Sequence, residues 1–322
     1  MDRRTILQAA IAGATTLAAP AIAQDFTQSL RIVVPFGAGG TSDILARLIA
    51  TPLGRALGQA VIVDNRPGAG GNIGADFVAK SRPDGHTMLL LDVSVLATNP
   101  FLFPRLPFDN VRDLAPVQML LYAPYILAVN NTLPVQNAAE LMAYAKANPG
   151  KINAANSGTG TLSHLVALSL AASWGTEMVA VPYRGGAPAL LSLASNESNL
   201  TLAGATQSQA YVVNGQMRGI AVTGRNRLAA VPNLPTFHEL GWAEPDSGTW
   251  QGILVQGATP PAIIARLERE IATVLADPTI RARIQDLGGE VAADGAAAFR
   301  ARLTEQTAAY GRIIQANNVR IE

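Results

Sequence analysis

The stretch that most constrains this chain is Arg31–Leu48, RIVVPFGAGGTSDILARL. Ile32-Val33-Val34 is an apolar, β-branched run that reads as a buried strand. Pro35 stops it, having no N–H for the ladder, and Gly37, Gly39 and Gly40 let the backbone turn with no Cβ in the way. Thr41 and Ser42 can both cap a helix, and Asp43 falls in its first turn, where the dipole favours an acid. Ile44, Leu45, Leu48 and Ile49 follow at helical spacing. A strand, a glycine loop and a helix N-terminus in that order aim free backbone N–H groups into a cleft, which makes a ready anion site. The spacing excludes two better-known loops. A dinucleotide fingerprint needs glycine where Ser42 stands, and a P-loop needs a lysine that is absent here.

The unit recurs. Ala60–Val63 reads as a short strand, with Pro52 kinking or ending the helix before it. Residues 64–74, DNRPGAGGNIG, form a second glycine loop that opens a helix over Ala75–Lys80, and the turn Pro83-Asp84-Gly85 precedes a strand at Thr87–Leu91. This β-α-β-α-β order with short links predicts an α/β fold with a parallel sheet and ligands at the strands' carboxyl ends. Residues 99–114, rich in Pro, Phe and Asp, read as a surface segment or short helix. A strand at Tyr125–Val129 and a helix at Val135–Ala147 follow. Asn153–Asn156 then leads into Ser157-Gly158-Thr159-Gly160-Thr161 and a helix at Leu162–Trp174, which repeats the opening architecture. Met178–Val181 reads as a strand, Pro182–Gly186 as a turn into a helix from Ala187, and Asn199–Ala203 and Gly219–Val222 as strands. Gln251–Val255 is a further strand. Helices at Pro260–Leu275 and Ala296–Gln315 are expected to pack back on the first lobe. The expectation is two lobes, each a mostly parallel sheet flanked by helices, with lobe 1 at 24–125 plus 224–322 and lobe 2 at 126–223. A cleft then lies between the Gly37–Asp43 and Ser157–Thr161 loops.

The 322 residues suffice for one large or two medium domains, and 49% apolar against 15% charged residues places the chain among globular proteins. A net charge of +1 argues against general nucleic-acid binding, which needs a concentrated basic face. With no cysteine, disulfides, zinc–thiolate sites and Cys nucleophiles are excluded, and His86, His164 and His238 are too scattered for a metal cluster. Residues 1–23 read as an export signal: Arg3-Arg4, an apolar run Ile6–Ala19, and Ala21-Ile22-Ala23 before a mature start at Gln24. Both a general secretory and a twin-arginine signal fit. The expected location is the periplasm, as a protein with no membrane span.

Five ordered motifs, from about Asp25 to the C-terminus, resemble the periplasmic solute-binding proteins of tripartite tricarboxylate transporters, the TctC or Bug family. They are Pro35–Asp43, Val63–Gly74, Pro83–Thr87, Ser157–Thr161 with His164, and Val181–Gly185 with Ala187-Pro188-Ala189. The resemblance implies a type II periplasmic-binding fold closing on a small carboxylated solute, with no catalysis and no cofactor. It implies that the Phe36, Gly37, Ala38, Gly39, Gly40, Thr41, Asp43 loop and the Ser157, Gly158, Thr159, Gly160, Thr161 loop hold a carboxylate through backbone N–H groups, hydroxyls and water. The family usually has Tyr for His86 and Lys for Arg184, and many members carry an aromatic or acidic residue within Gly204–Ser208. The Asp92–Val95 loop is unusual too. Ser94 and Thr206 in these segments thus belong to the far end of the cleft, where ligand identity is decided.

Asp43 fits loop ordering better than ligand contact, because an acid repels an anionic ligand. His164 reads as a helix residue with a satisfied ring. Tyr183 and Arg184, with Gly185, lie at a strand's carboxyl end and are candidates for ligand contact. Trp250 and Phe36 fit core packing or cleft wall, Phe36 being the better wall. The partners expected are a small carboxylate (a di- or tricarboxylate or an aromatic acid) and the membrane subunits of a tripartite tricarboxylate-type transporter, with the protein acting as a monomer. A receptor for a membrane sensor remains open. An exported hydrolase is disfavoured, because Ser157 lacks the glycine two residues before it that a nucleophile elbow requires.

Overall fold

The computed structural model describes residues 26–242 and 247–321; the expected export signal lies outside them. The β-branched run forms β1 (Leu30–Val34), which pairs parallel with β2 (Val61–Asn65) and β3 (Thr87–Asp92). Between β1 and β2 runs α1 (Thr41–Leu57). It passes through Pro52 without ending there and stops at Gly58, whose φ of 71° is the left-handed cap that glycine adopts freely. The second glycine loop opens α2 (Asn72–Ala79). The Asp92–Val95 segment is not a loop but the start of α3 (Val93–Leu102), which absorbs part of the segment read as irregular.

The main departure from the expected layout is β4 (Leu114–Val129), one strand of 16 residues, all but one of them buried. Its first half pairs antiparallel with β9 (Gly248–Gln256) and, at its other edge, with the short β10 (Glu290–Val291). Its second half pairs antiparallel with β7 (Leu200–Gly204) and β8 (Arg218–Val222). The same strand therefore belongs to both lobes. In lobe 2, β5 (Asn153–Asn156) pairs parallel with β6 (Val179–Pro182) and β7. Parallel pairing holds within the βαβ units, as expected, while β4 and β9 make the sheet mixed.

Helices α4 (Ala138–Ala147), α5 (Leu162–Trp174), α6 (Gly186–Ala194) and α7 (Ala205–Val213) flank lobe 2. Past β9 come α8 (Pro261–Ala276), α9 (Pro278–Asp286) and α10 (Ala296–Ala316). Alternation along β1 sends Ile32 and Val34 into a core with Leu45 and Ile49 of α1 and Leu267 and Ile271 of α8, while Val33 joins the core on the other face. Helix α8 packs on lobe 1 as expected. Helix α10 does not stop there: it packs on α3 and β4 and reaches α5 of lobe 2, with Phe299, Leu303, Tyr310 and Ile314 buried. Gly311 allows this close approach, since a Cβ there would press into the Phe101 ring of α3. No helix among the described residues is long and apolar enough to cross a membrane.

Candidate functional site

A cleft of about 520 Å³ opens between the lobes. Helix N-termini converge on it from both sides. Gly40, Thr41 and Ser42 at the start of α1 line it from lobe 1, and Ser157, Thr159, Gly160, Thr161 and Ser163 around the start of α5 line it from lobe 2. Gly185 and Gly186 of α6, and Gly204 and Thr206 of α7, complete the lobe 2 wall. None of these four helices has a side-chain cap bonded to its first N–H groups. Away from the cleft, α4 is capped by Asn137 and α9 by Asp277, while α2, α8 and α10 also carry no side-chain cap. Unmet donors and dipole ends facing one cavity favour an anion. Among the described residues the lining includes no lysine, arginine or histidine.

The first loop is held from behind. The Asp43 carboxylate, 3% exposed, accepts from the Gly39 N–H at 2.9 Å, from Asn65 Nδ2 at 3.0 Å and from Arg47 Nε at 3.1 Å. Burial alone would raise its pKa, but these donors together hold the carboxyl below the usual value. Asn65 also donates to Phe36 O at 3.1 Å. Asp43 thus orders the loop, and Gly37, Ala38 and Gly39 are exposed and do not line the cleft, whereas Phe36 forms its wall. Ser42 Oγ donates to Gln251 Oε1 at 2.8 Å, which ties the helix start to β9.

In the second loop the Thr161 hydroxyl donates to Gly158 O at 2.6 Å, Ser157 N–H to Ser163 Oγ at 3.0 Å, and Gly158 N–H to Asn156 Oδ1 at 3.0 Å. Gly158 shapes the turn at φ 135° without facing the cavity. His164 is buried and takes the Gly160 N–H on Nδ1 at 3.1 Å, and burial lowers its pKa, so the ring is a neutral acceptor beneath the loop rather than a ligand contact. Tyr183 and Arg184 are also not brought to the cleft. The Tyr183 hydroxyl donates to Glu197 at 2.9 Å and Arg184 is exposed, because the turn carries Gly185 inward and these two outward. Trp250 is core, stacked 4.2 Å from Tyr122 with Arg302 3.6 Å over its ring.

Several lining residues escaped the sequence reading. Asp92, Thr98 and Asn99 come from the end of β3 and from α3, Tyr125 from β4, Thr249 and Gln251 from β9, and Gln207 from α7. The expected Ser94 and Thr206 also line the cleft. The Thr206 hydroxyl lies 3.5 Å from that of Thr41, a contact between the lobes. Asp92 Oδ1 accepts the Ser94 N–H at 2.9 Å, capping α3, and the carboxyl also takes the Ser94 hydroxyl and the Trp250 N–H. Burial nevertheless pushes its pKa up to about 6. Burial, with Asp92's charge adding to it, also raises the Tyr125 hydroxyl, which is bonded to Thr249. Asp92 could have been found from its place at a strand's carboxyl end.

Comparison with known proteins agrees with this architecture. Residues 45–319 match the profile of the tripartite tricarboxylate transporter family receptors, TctC. The chain is 34% identical over 261 residues to protein BugT of Bordetella pertussis, 80% of each chain being covered. A Rhodopseudomonas palustris protein solved with adipate superposes with a TM-score of 0.81 at 30% identity, covering 92% of this chain and 99% of that one. MatC from the same organism, solved with bound malate, superposes with a TM-score of 0.75 at 27% identity, covering 89% and 99%. The match over most of its length, two βα lobes and a cleft between them place this chain in the tripartite tricarboxylate transporter receptor family, that of the TctC and Bug periplasmic solute-binding proteins.

Proposed function

We propose that the protein captures a small carboxylate in the periplasm and delivers it to the membrane subunits of a tripartite tricarboxylate-type transporter. The observation that carries this reading is the convergence of uncapped helix N-termini from both lobes on a cleft with no cationic side chain in its lining among the described residues. A carboxylate offers each N-terminus an acceptor, and the dipoles supply the favourable potential. Relatives solved with adipate and malate support an acidic ligand. In this reading the ligand meets Phe36, Gly40, Thr41, Ser94, Ser157, Thr159, Gly160, Thr161, Gly185 and Thr206. The lobes are 24–125 plus 224–322 and 126–223, and closure brings the two glycine loops onto one ligand. Residues 1–23 direct export and are removed.

Calorimetric titration of protein recovered from the periplasmic fraction tests this, using carboxylates and the corresponding amides. Acids are expected to bind and amides to fail, because an amide brings no charge to the helix ends. Amides binding as tightly as acids would remove the anion site. Absence of the protein from that fraction would remove the periplasmic part.

A further inference from the structure

The charge inventory of the cleft is one-sided. Among the described residues, Asp92 is the one carboxylate in its lining and no cationic side chain lines it. The Asp92 carboxyl is half-buried at the end of β3, beside Tyr125 and opposite Gln251 in the register with β9. Its donors there, the Ser94 hydroxyl and the N–H groups of Ser94 and Trp250, are all neutral. A partly desolvated acid with no counter-charge is costly to keep. Helix capping does not require the charge, since asparagine caps as well as aspartate, and four other helices at this cleft have no side-chain cap at all. Capping alone therefore does not account for the negative charge. A ligand with a second carboxylate would meet a like charge in a site of low dielectric, whereas an ammonium would supply the missing partner.

We propose that Asp92 is a specificity-determining residue and that the ligand is a small zwitterion, a carboxylate that also carries an ammonium group. The inference rests on the reading of the cleft as a carboxylate site: the uncapped helix ends take the acid and Asp92 takes the cation. It also fixes the sign of a pH effect. Burial holds Asp92 at about 6 in the free protein, and a bound ammonium favours the ionised form. Affinity for the zwitterion therefore rises with pH up to about 6 and levels off above it, with proton release below. A dicarboxylate needs the protonated form, so its affinity falls over the same range. Tyr125, beside Asp92, is raised and stays neutral throughout. His164, beneath the opposite loop, is lowered and is separated from Asp92 by the variant below.

The experiment titrates the mature protein with ω-amino acids from 3-aminopropanoate to 6-aminohexanoate, with the dicarboxylates of matching length and with the simple monocarboxylates, between about pH 5 and about pH 8. The same panel is run on Asp92→Asn, which retains the helix cap. At least one amino acid should bind wild type about tenfold or more tightly than its matched dicarboxylate at the upper pH. Asp92→Asn should remove that preference and flatten the pH dependence. A dicarboxylate that binds wild type as well as the amino acid, or a preference that survives in Asp92→Asn, overturns the inference while leaving the carboxylate reading in place. Failure of every acid in the panel overturns both.

Discussion

Asp43 stands three residues past Gly40 yet does not meet the cavity. It collects the Gly39 N–H, the Asn65 amide and the Arg47 guanidinium at once. Removing a buried charged acceptor leaves those donors unmet, which costs roughly 2–3 kcal/mol. Asp43→Ala should lower stability by about that much in urea denaturation near neutral pH, and should weaken ligand binding through a loosened loop. The folded carboxyl titrates below its ordinary 3.8, so its contribution is present above that value and is lost as pH falls through the folded pKa. The gap between wild type and variant should therefore close under acid conditions. A gap that persists there would assign the effect to packing. Asp92 is the opposite case, its carboxyl raised by burial where Asp43 is lowered by its donors.

The helix start is the element that defines the site, and its lack of caps can be tested by adding one. Gly40 has φ −78° and ψ 167°, extended backbone open to any residue, and a Cβ there would meet only Gly37 O at 3.7 Å. Gly40→Asp places a carboxylate over the first N–H groups of α1. Stability should hold or rise by a few tenths of a kcal/mol, while carboxylate affinity falls at least about tenfold. Thermal melting and titration of the same variant separate the two effects, and unchanged affinity would place the anion elsewhere. These helix starts were legible in sequence because each is local: Gly37–Thr41, Ser157–Thr161 and Pro182–Gly186 carry their own turn residues. The long strand was not. Residues 115–124 include Pro116 and Pro124, which have no N–H for a ladder, and their partners on β9 lie more than a hundred residues downstream. Thr249 and Gln251 reach the cleft only through that antiparallel register, so no local pattern announces them. Helix α3 was hidden by Pro100 and by its weak amphipathic contrast.

At the scale of the molecule, two contacts already join the lobes across the cleft. The Thr41 and Thr206 hydroxyls lie 3.5 Å apart, and a Cβ on Gly160, at φ 77°, would come within 2.6 Å of Leu102 of α3. Such contacts form only when the lobes are together, and a ligand gripped by both glycine loops favours that arrangement. Small-angle scattering should give a smaller radius of gyration with saturating carboxylate than without, and an identical profile would mean that the lobes do not move. Strand β4 bears in turn on how this architecture can diversify. Leu114–Val129 supplies the neighbour of β9 in lobe 1 and the strand between β7 and β8 in lobe 2. A cut at either side of the crossing strips one lobe of a strand its sheet needs, so neither lobe is a cassette that can be exchanged between relatives. On the proposed reading, new ligand preferences in such a chain would come from substitution in the cleft lining, at positions such as Asp92 and Thr206, and not from exchange of a lobe.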